Sequence, residues 1–189
     1  MSPRVLVRYA PEFACAAKLG RKLDRLLGQL DGVVLLVPDD PHGLVADYAA
    51  QRGLVLEPSA RGASHVVLVG DAAWFDSLDV RQWAGLPLRR VPVPITRVVN
   101  VDREDVPGAV YIGRGTPWGN PYALGPDGDR EEVIRKFRYD FERNLLRDGP
   151  RFKERLLQLR GRRLGCHCKP APCHGDVLAE YLNAWDDGA

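Results

Sequence analysis

Strand-like runs and helical runs alternate through the first seventy residues, with little chain between them. "RVLVRY" (4–9), "GVVLLVPDD" (32–40), "LVLEP" (54–58) and "HVVLVGD" (65–71) are short, β-branched and apolar. Between the first two, Phe13, Ala17, Leu19, Leu23, Leu26, Leu27 and Leu30 recur near helical spacing across "PEFACAAKLGRKLDRLLGQL". "HGLVADYAAQRG" predicts a short helix ending at Gly53, a residue suited to a left-handed helix terminus. "WFDSLDVRQWAG" predicts one more helix. Strands that stay apolar throughout and are joined through helices have few folded solutions. The pattern predicts a mostly parallel sheet in a Rossmann-like α/β layer.

The pattern changes near Pro92 to Arg97, where prolines keep "VPVPITRVVNV" extended. We therefore expect one domain over 1–95 and a smaller α+β domain over 96–189. The second half predicts a strand at "AVYIG", then a turn-dense stretch, then a helix capped by Asp129 with Glu132 as its capping-box partner. Its apolar face reads Val133, Ile134, Phe137, Phe141, Leu145 and Leu146, and Gly149 ends it. "PRFKERLLQL" predicts a further helix and "RRLGCHC" a strand. A last helix starts near Gly175 or Asp176 and buries Val177, Leu178, Tyr181, Leu182 and Trp185.

The 189 residues, 45% hydrophobic, suffice for one large domain or two small ones. A formal net charge of +2 provides no global field toward nucleic acid or membrane. The longest apolar run, "VVLLV", is far too short to span a bilayer, and the N-terminus lacks a signal-peptide layout. These features predict a cytoplasmic protein with no membrane partner. In a reducing compartment clustered cysteines serve as metal ligands or reactive thiols more often than as disulfides.

"CHCKPAPCH" holds three of the four cysteines and two of the four histidines. Three readings are open. Cys166, Cys168, Cys173 and His174 have the donor types of a tetrahedral zinc site, with Pro170 and Pro172 bending the loop. Alternatively Cys173, just before a helix, is a thiol activated by the helix dipole, Lys169 and His174. Or the group is small buried residues lining a tight turn.

The second motif, "YIGRGTPWGNP", is neither a dinucleotide fingerprint nor a P-loop. It predicts a rigid loop in which Gly113 and Gly119 set the backbone. Arg114 can hold a phosphate or carboxylate, Trp118 can stack on a base, and Asn120 can read a base edge or hold a ribose. Equally, Trp118 can plug the core and Asn120-Pro121 can make a turn. Between Arg130 and Arg163 twelve Lys/Arg face six Asp/Glu, densest at Arg160 to Arg163. That basic excess suits an anionic ligand or a solvated helix face.

Together, "VYIGRGTPWGNPY" and "LGCHCKPAPCHGDVLAEYLN" resemble domain of unknown function 4326, found in bacteria and phages. The resemblance covers about Thr96 to Asn183. Its motif positions fall on Gly113, Arg114, Gly119, Asn120 and Pro121, then on Cys166, Cys168, Lys169, Pro170, Cys173, His174, Gly175 and Asp176. The family has an aromatic residue where this chain has His167, so the resemblance makes no essential ligand of His167. The first half is weakly similar to SLOG-type Rossmann-like domains, which bind nucleotides and their derivatives. That similarity implies a ligand beyond the strand ends, near Pro38 to Gly43 and Gly70 to Trp74.

Two functions follow as expectations. In one, the chain binds or processes a nucleotide-derived small molecule, as a hydrolase or transferase if it turns over. Gly113, Arg114, Trp118, Gly119, Asn120, Lys169 and Arg163 would bind, and Cys173, His174, Asp176 and Asn120 would do the chemistry, the cysteine loop supplying either a zinc-bound water or a thiolate. In the other, the loop is a metal knuckle in a binding module for nucleic acid or a partner protein. A homodimer is compatible with either.

Overall fold

The computed structural model describes residues 2–189. Its contacts divide the chain into two compact units. One runs to Pro94 and includes Ala184–Ala189; the other is Ile95–Asn183.

The first unit is a five-stranded sheet of β1 (Arg4–Tyr9), β2 (Val34–Leu36), β3 (Val55–Glu57), β4 (His65–Gly70) and β5 (Leu88–Pro92), in the order β3-β2-β1-β4-β5. Every pairing is parallel. Parallel neighbours require crossovers, which α1 (Ala16–Leu27), α2 (Leu44–Arg52) and α3 (Ala72–Asp76) supply. The central strands are buried along most of their length, as at Val5, Leu6, Val7 and Val66 to Val69, which is why they read as unbroken apolar runs. Helix α1 turns Leu19, Leu23 and Leu27 inward and also buries Lys18, whose ammonium pairs with Asp187. Gly53 closes α2 at φ 62°, its N–H reaching the last carbonyls.

Two expected helices are shorter than their sequence periodicity. The segment before α1 turns instead, with the Phe13 amide on the Ala10 carbonyl, so the helix begins only after Cys15. "WFDSLDVRQWAG" splits into α3 and a 3-10 turn, Val80–Trp83. Asp79 accepts the Arg81 amide and so caps a new turn rather than continuing the old one.

The second unit has a three-stranded parallel sheet in the order β6-β8-β7, formed by β6 (Arg97–Asn100), β7 (Val110–Tyr111) and β8 (Arg163–Cys166). Three helices accompany it: α4 (Arg130–Glu142), α5 (Pro150–Leu156) and α6 (His174–Ala184). Asp129 caps α4 by accepting the Glu132 amide at 2.9 Å. The helix ends before its apolar pattern does. Asn144 adopts a left-handed φ of 58°, which leaves Leu145 61% exposed while Leu146 is buried. The core packs Ile112, Phe137, Phe141, Phe152, Leu156, Leu164, Leu178 and Leu182 together. Buried Thr96 and Asn183 tie β6 to the end of α6 through reciprocal bonds of 2.8 and 2.9 Å. Trp185, expected in the stripe of α6, lies past the helix end and is 36% exposed. Among the described residues no helix is long and apolar enough to cross a membrane.

Candidate functional site

The cysteine loop leaves the C-terminal end of β8 and enters α6. Cys166 is the last residue of the strand, and His174 is the first of the helix. The sheet and the helix start therefore bring Cys166, Cys173 and His174 together, all buried, with their donor atoms within 4.8 Å of one another. Tetrahedral zinc, with ligand bonds of about 2.0–2.3 Å, needs donors about 3.3–3.8 Å apart, so the trio would have to draw in by about 1 Å. His174 Nε2 bonds the Ile112 carbonyl at 2.9 Å, which leaves Nδ1 as the nitrogen free to bind. A backbone carbonyl on the second nitrogen is the usual way a ligating imidazole is oriented. The ring packs edge-on against Phe137.

Cys168 is outside this trio. Its side chain touches Cys166 and is hydrogen-bonded by Arg130, whose guanidinium also donates to the Pro172 carbonyl at 3.3 Å. All four cysteines of the chain are free thiols. Cys15 is buried at the head of α1 in the first unit.

The two buried thiols, Cys166 and Cys173, share a hydrogen bond and titrate as a pair. Cys166 is pulled down to about 5, chiefly by a hydrogen bond from the Cys173 thiol, then by bonds from Cys168 and by the nearby His174; burial opposes. Cys173 is pushed up by the same bond and by burial, despite its place at a helix start. Burial, and the neighbouring Cys166, also raise Cys168. The hydrogen-bonded pair of Cys166 and Cys173 therefore favours a single thiolate.

The other motif residues hold this arrangement. Asp176 uses both oxygens: one binds the Lys169 ammonium and the other accepts the Cys173 amide at 2.9 Å. Lys169 is thereby committed to the loop. A Cβ on Gly175 would come 2.6 Å from Ile112 Cδ1 and 3.2 Å from Cys173 Sγ. Buried Asn100, in register with Cys166, donates to the His167 carbonyl at 3.2 Å and to the Lys169 carbonyl. No motif pointed to Asn100; a polar residue ending an apolar strand is its only sequence signal. His167 turns outward to Asp102, with Nδ1 2.7 Å from the carboxylate.

The loop of Gly113 to Pro121 follows β7. A Cβ on Gly113 would fall 2.0 Å from the Tyr111 hydroxyl, and one on Gly119 would fall 2.7 Å from the Gly113 carbonyl. These glycines permit close approach of chain to chain rather than unusual backbone angles. Asn120 serves the fold: Nδ2 donates to the Val133 carbonyl at 3.1 Å and Oδ1 accepts the Tyr122 amide at 2.9 Å. Trp118 packs edge-on against Phe152 with the Arg155 guanidinium over its ring. Arg114 is exposed, and has no hydrogen-bond or ion-pair partner among the described residues.

A cleft of about 230 Å³ is lined by both loops, with Gly113, Arg114 and Asn120 on one side and Cys166, Cys168, Cys173 and His174 on the other. Tyr111, Tyr122 and Arg130, to which the sequence assigned no role, also line it. Trp118, Lys169, Asp176 and Arg163 do not line it. Arg163 opens β8 in register with Arg97, three residues before Cys166, so strand direction carries it away from the cysteine end.

In the first unit, the strand ends beyond β1, β2 and β4 carry polar residues too. Asp40 accepts the Tyr9 hydroxyl and the Ala46 amide, the latter at 2.9 Å. His42 Nε2 lies 2.7 Å from the Pro11 carbonyl, and Asp71 caps α3 at the Trp74 amide. Gly70 is pressed by Trp74, whose Cε3 would be 2.5 Å from an added Cβ.

Comparison with known proteins divides the chain in a similar way. Residues 2–99 match the family described as the minimal SLOG domain, a family linked to nucleotide-derived ligands. Residues 98–184 match the family described as domain of unknown function DUF4326. An uncharacterized 12.4 kDa protein of the nrdA-td intergenic region of Enterobacteria phage T4 is 47% identical over 89 residues, which cover 47% of this chain and 79% of that relative. No solved structure matches.

Proposed function

The chain belongs to the minimal SLOG family in its first half and carries the domain of unknown function DUF4326 in its second, and on that premise we propose that its second unit binds a nucleotide-derived small molecule in a metal-bearing cleft. The observation that supports this reading most is the shared lining of one cleft by the Arg114–Asn120 loop and the cysteine loop. In this reading Cys166, Cys173 and His174 hold the ion, Arg114 and Arg130 meet the anionic part of the ligand, and Tyr111 and Tyr122 flank its ring. Two thiols and one imidazole would make a three-residue ligand set of the kind that catalytic zinc sites use. Zinc bound there would supply Lewis-acid charge to a ligand oxygen. Asn120, Asp176 and Lys169 act as positioning residues, because their polar atoms are bonded within the two loops.

Metal content measured on untagged protein tests the ligand set. Cys166→Ser and Cys173→Ser lose about one equivalent of zinc or iron, whereas Cys168→Ser keeps it. Loss of the metal in Cys168→Ser as well would close the ligand set and favour the knuckle of a binding module instead. Titration with adenosine and guanosine monophosphates tests the cleft. Arg114→Gln weakens binding by about tenfold, the worth of a charge-assisted hydrogen bond. Wild-type protein that holds metal but binds no nucleotide sinks the small-molecule reading.

A further inference from the structure

A second cleft, of about 870 Å³, opens beside the first in the same unit. The two share a wall of Arg114, Asn120 and Tyr122. Its far side is the turn between α4 and α5, with Arg147 and Asp148, and α5 itself, with Arg155 and apolar Phe152. The charges on this side differ in their commitments. Arg155 pairs with Asp148 at 2.6 Å and covers the Trp118 ring, while Asp140 accepts the Tyr122 hydroxyl at 2.6 Å. Arg114 and Arg147 are exposed and have no hydrogen-bond or ion-pair partner among the described residues. The turn that carries Arg147 is shaped by left-handed backbone at Asn144 (φ 58°), Asp148 (φ 73°) and Gly149 (φ 54°). Asn and Asp are the non-glycine residues that take this conformation most readily, so the sequence itself sets the turn. Here it fixes the rim on which Arg147 stands.

We infer that this larger cleft is a diphosphate subsite, in which Arg114 and Arg147 grip the phosphates of a nucleoside diphosphate or a conjugate of one. The inference extends the nucleotide reading of the neighbouring cleft. Small-molecule sites run to about 300–1,000 Å³, so the cysteine cleft holds only part of a nucleotide, and the second cleft has room for the rest. Two unpaired guanidiniums, each with a planar fork of donors, suit two phosphoryl groups better than one. Arg114 borders both clefts and links the subsites.

Isothermal titration of the full chain with sodium pyrophosphate at low salt tests this. Wild-type protein binds pyrophosphate more tightly than orthophosphate. Arg147→Gln weakens pyrophosphate binding about tenfold with an unchanged circular dichroism spectrum. Arg135→Gln, the same charge change on the exposed face of α4 outside both clefts, leaves it unchanged. Equal weakening by Arg135→Gln and Arg147→Gln would reduce the effect to net charge and overturn the inference. Binding of oligothymidylate that Arg147→Gln weakens, with no heat from pyrophosphate, would also overturn it, in favour of a strand-binding groove. A chain that binds metal and monophosphates but not pyrophosphate removes this subsite and leaves the metal-bearing cleft standing.

Discussion

The two units use polar residues at their strand ends in opposite ways. Beyond β1, β2 and β4 of the first unit, Tyr9, Asp40, His42 and Asp71 are engaged with helix starts and loop carbonyls. Beyond β7 and β8 of the second, Asn120, Lys169 and Asp176 secure the loops, and that leaves Arg114, Cys166, Cys168 and His174 lining a cleft. A regular doubly wound sheet satisfies its termini with short caps. A three-stranded sheet with long connections must pin its loops side chain by side chain, and the groups that are not pins remain available for chemistry.

The largest test of this contrast is in the second core. Phe137 is fully buried against Phe141 and His174, and Phe137→Ala costs about 3–5 kcal/mol in urea unfolding. Hydrogen exchange quickens in α4 and α6 and not in β1, β2 or β4; faster exchange in both sheets would break the contrast. In the first unit Lys18 is 4% exposed and pairs with Asp187. Asp187→Asn strands a buried ammonium and costs about 3 kcal/mol, which Lys18→Met introduced beside it recovers. No recovery in the double variant would show that Asp187 acts through its other contacts.

Gly119→Ala is a smaller test. The added Cβ meets backbone of Gly113 and Arg114 at 2.7 and 2.9 Å, and overpacking of that kind costs about 1–3 kcal/mol. Monophosphate binding falls with it, because the Arg114 loop shifts; unchanged binding would separate the loop from the cleft. The smallest effect is a pH dependence in the first unit. Burial, and then the Asp24 carboxylate, raise Tyr48 from 10.0 to about 12. A phenol with a raised folded pKa contributes stability that is complete below pH 10 and is lost as pH rises through 12. Alkaline unfolding followed in that window shows a smaller loss in Tyr48→Phe than in wild-type protein, the remainder coming from tyrosines such as Tyr9 that are also raised.

Much of this organisation can be read from residues. The apolar strand runs, the Gly53 terminus and the Asp129 cap are local signals, and each appears where its chemistry requires. Helix lengths were less legible: periodicity carries α4 on to Leu146, but a left-handed Asn144 stops it at Glu142. The basic cluster at Arg160 to Arg163 lies next to the cysteine loop in sequence, yet Arg163 stands at the opposite end of β8 from Cys166. Trp118 has the chemistry of a base-stacking residue but is packed on Phe152 under Arg155. Spacing along the chain cannot distinguish these outcomes, because strand direction and neighbouring rings decide them.

Read as a string of residues, the chain already specifies the alternation that makes a parallel sheet, a change of pattern near Pro92 to Arg97, and a donor set of thiols and imidazole in one short loop. Those depend on local propensity, on proline geometry and on ligand chemistry, which residues carry with them. The gathering of Cys166, Cys173 and His174 while Cys168 turns to Arg130, the hydrogen bond between the Cys166 and Cys173 thiols, and the place of Arg114 at the border of two clefts come from the folded molecule alone. Each of these depends on which groups from distant parts of the chain end up within a few ångströms of one another, and long-range packing sets that proximity.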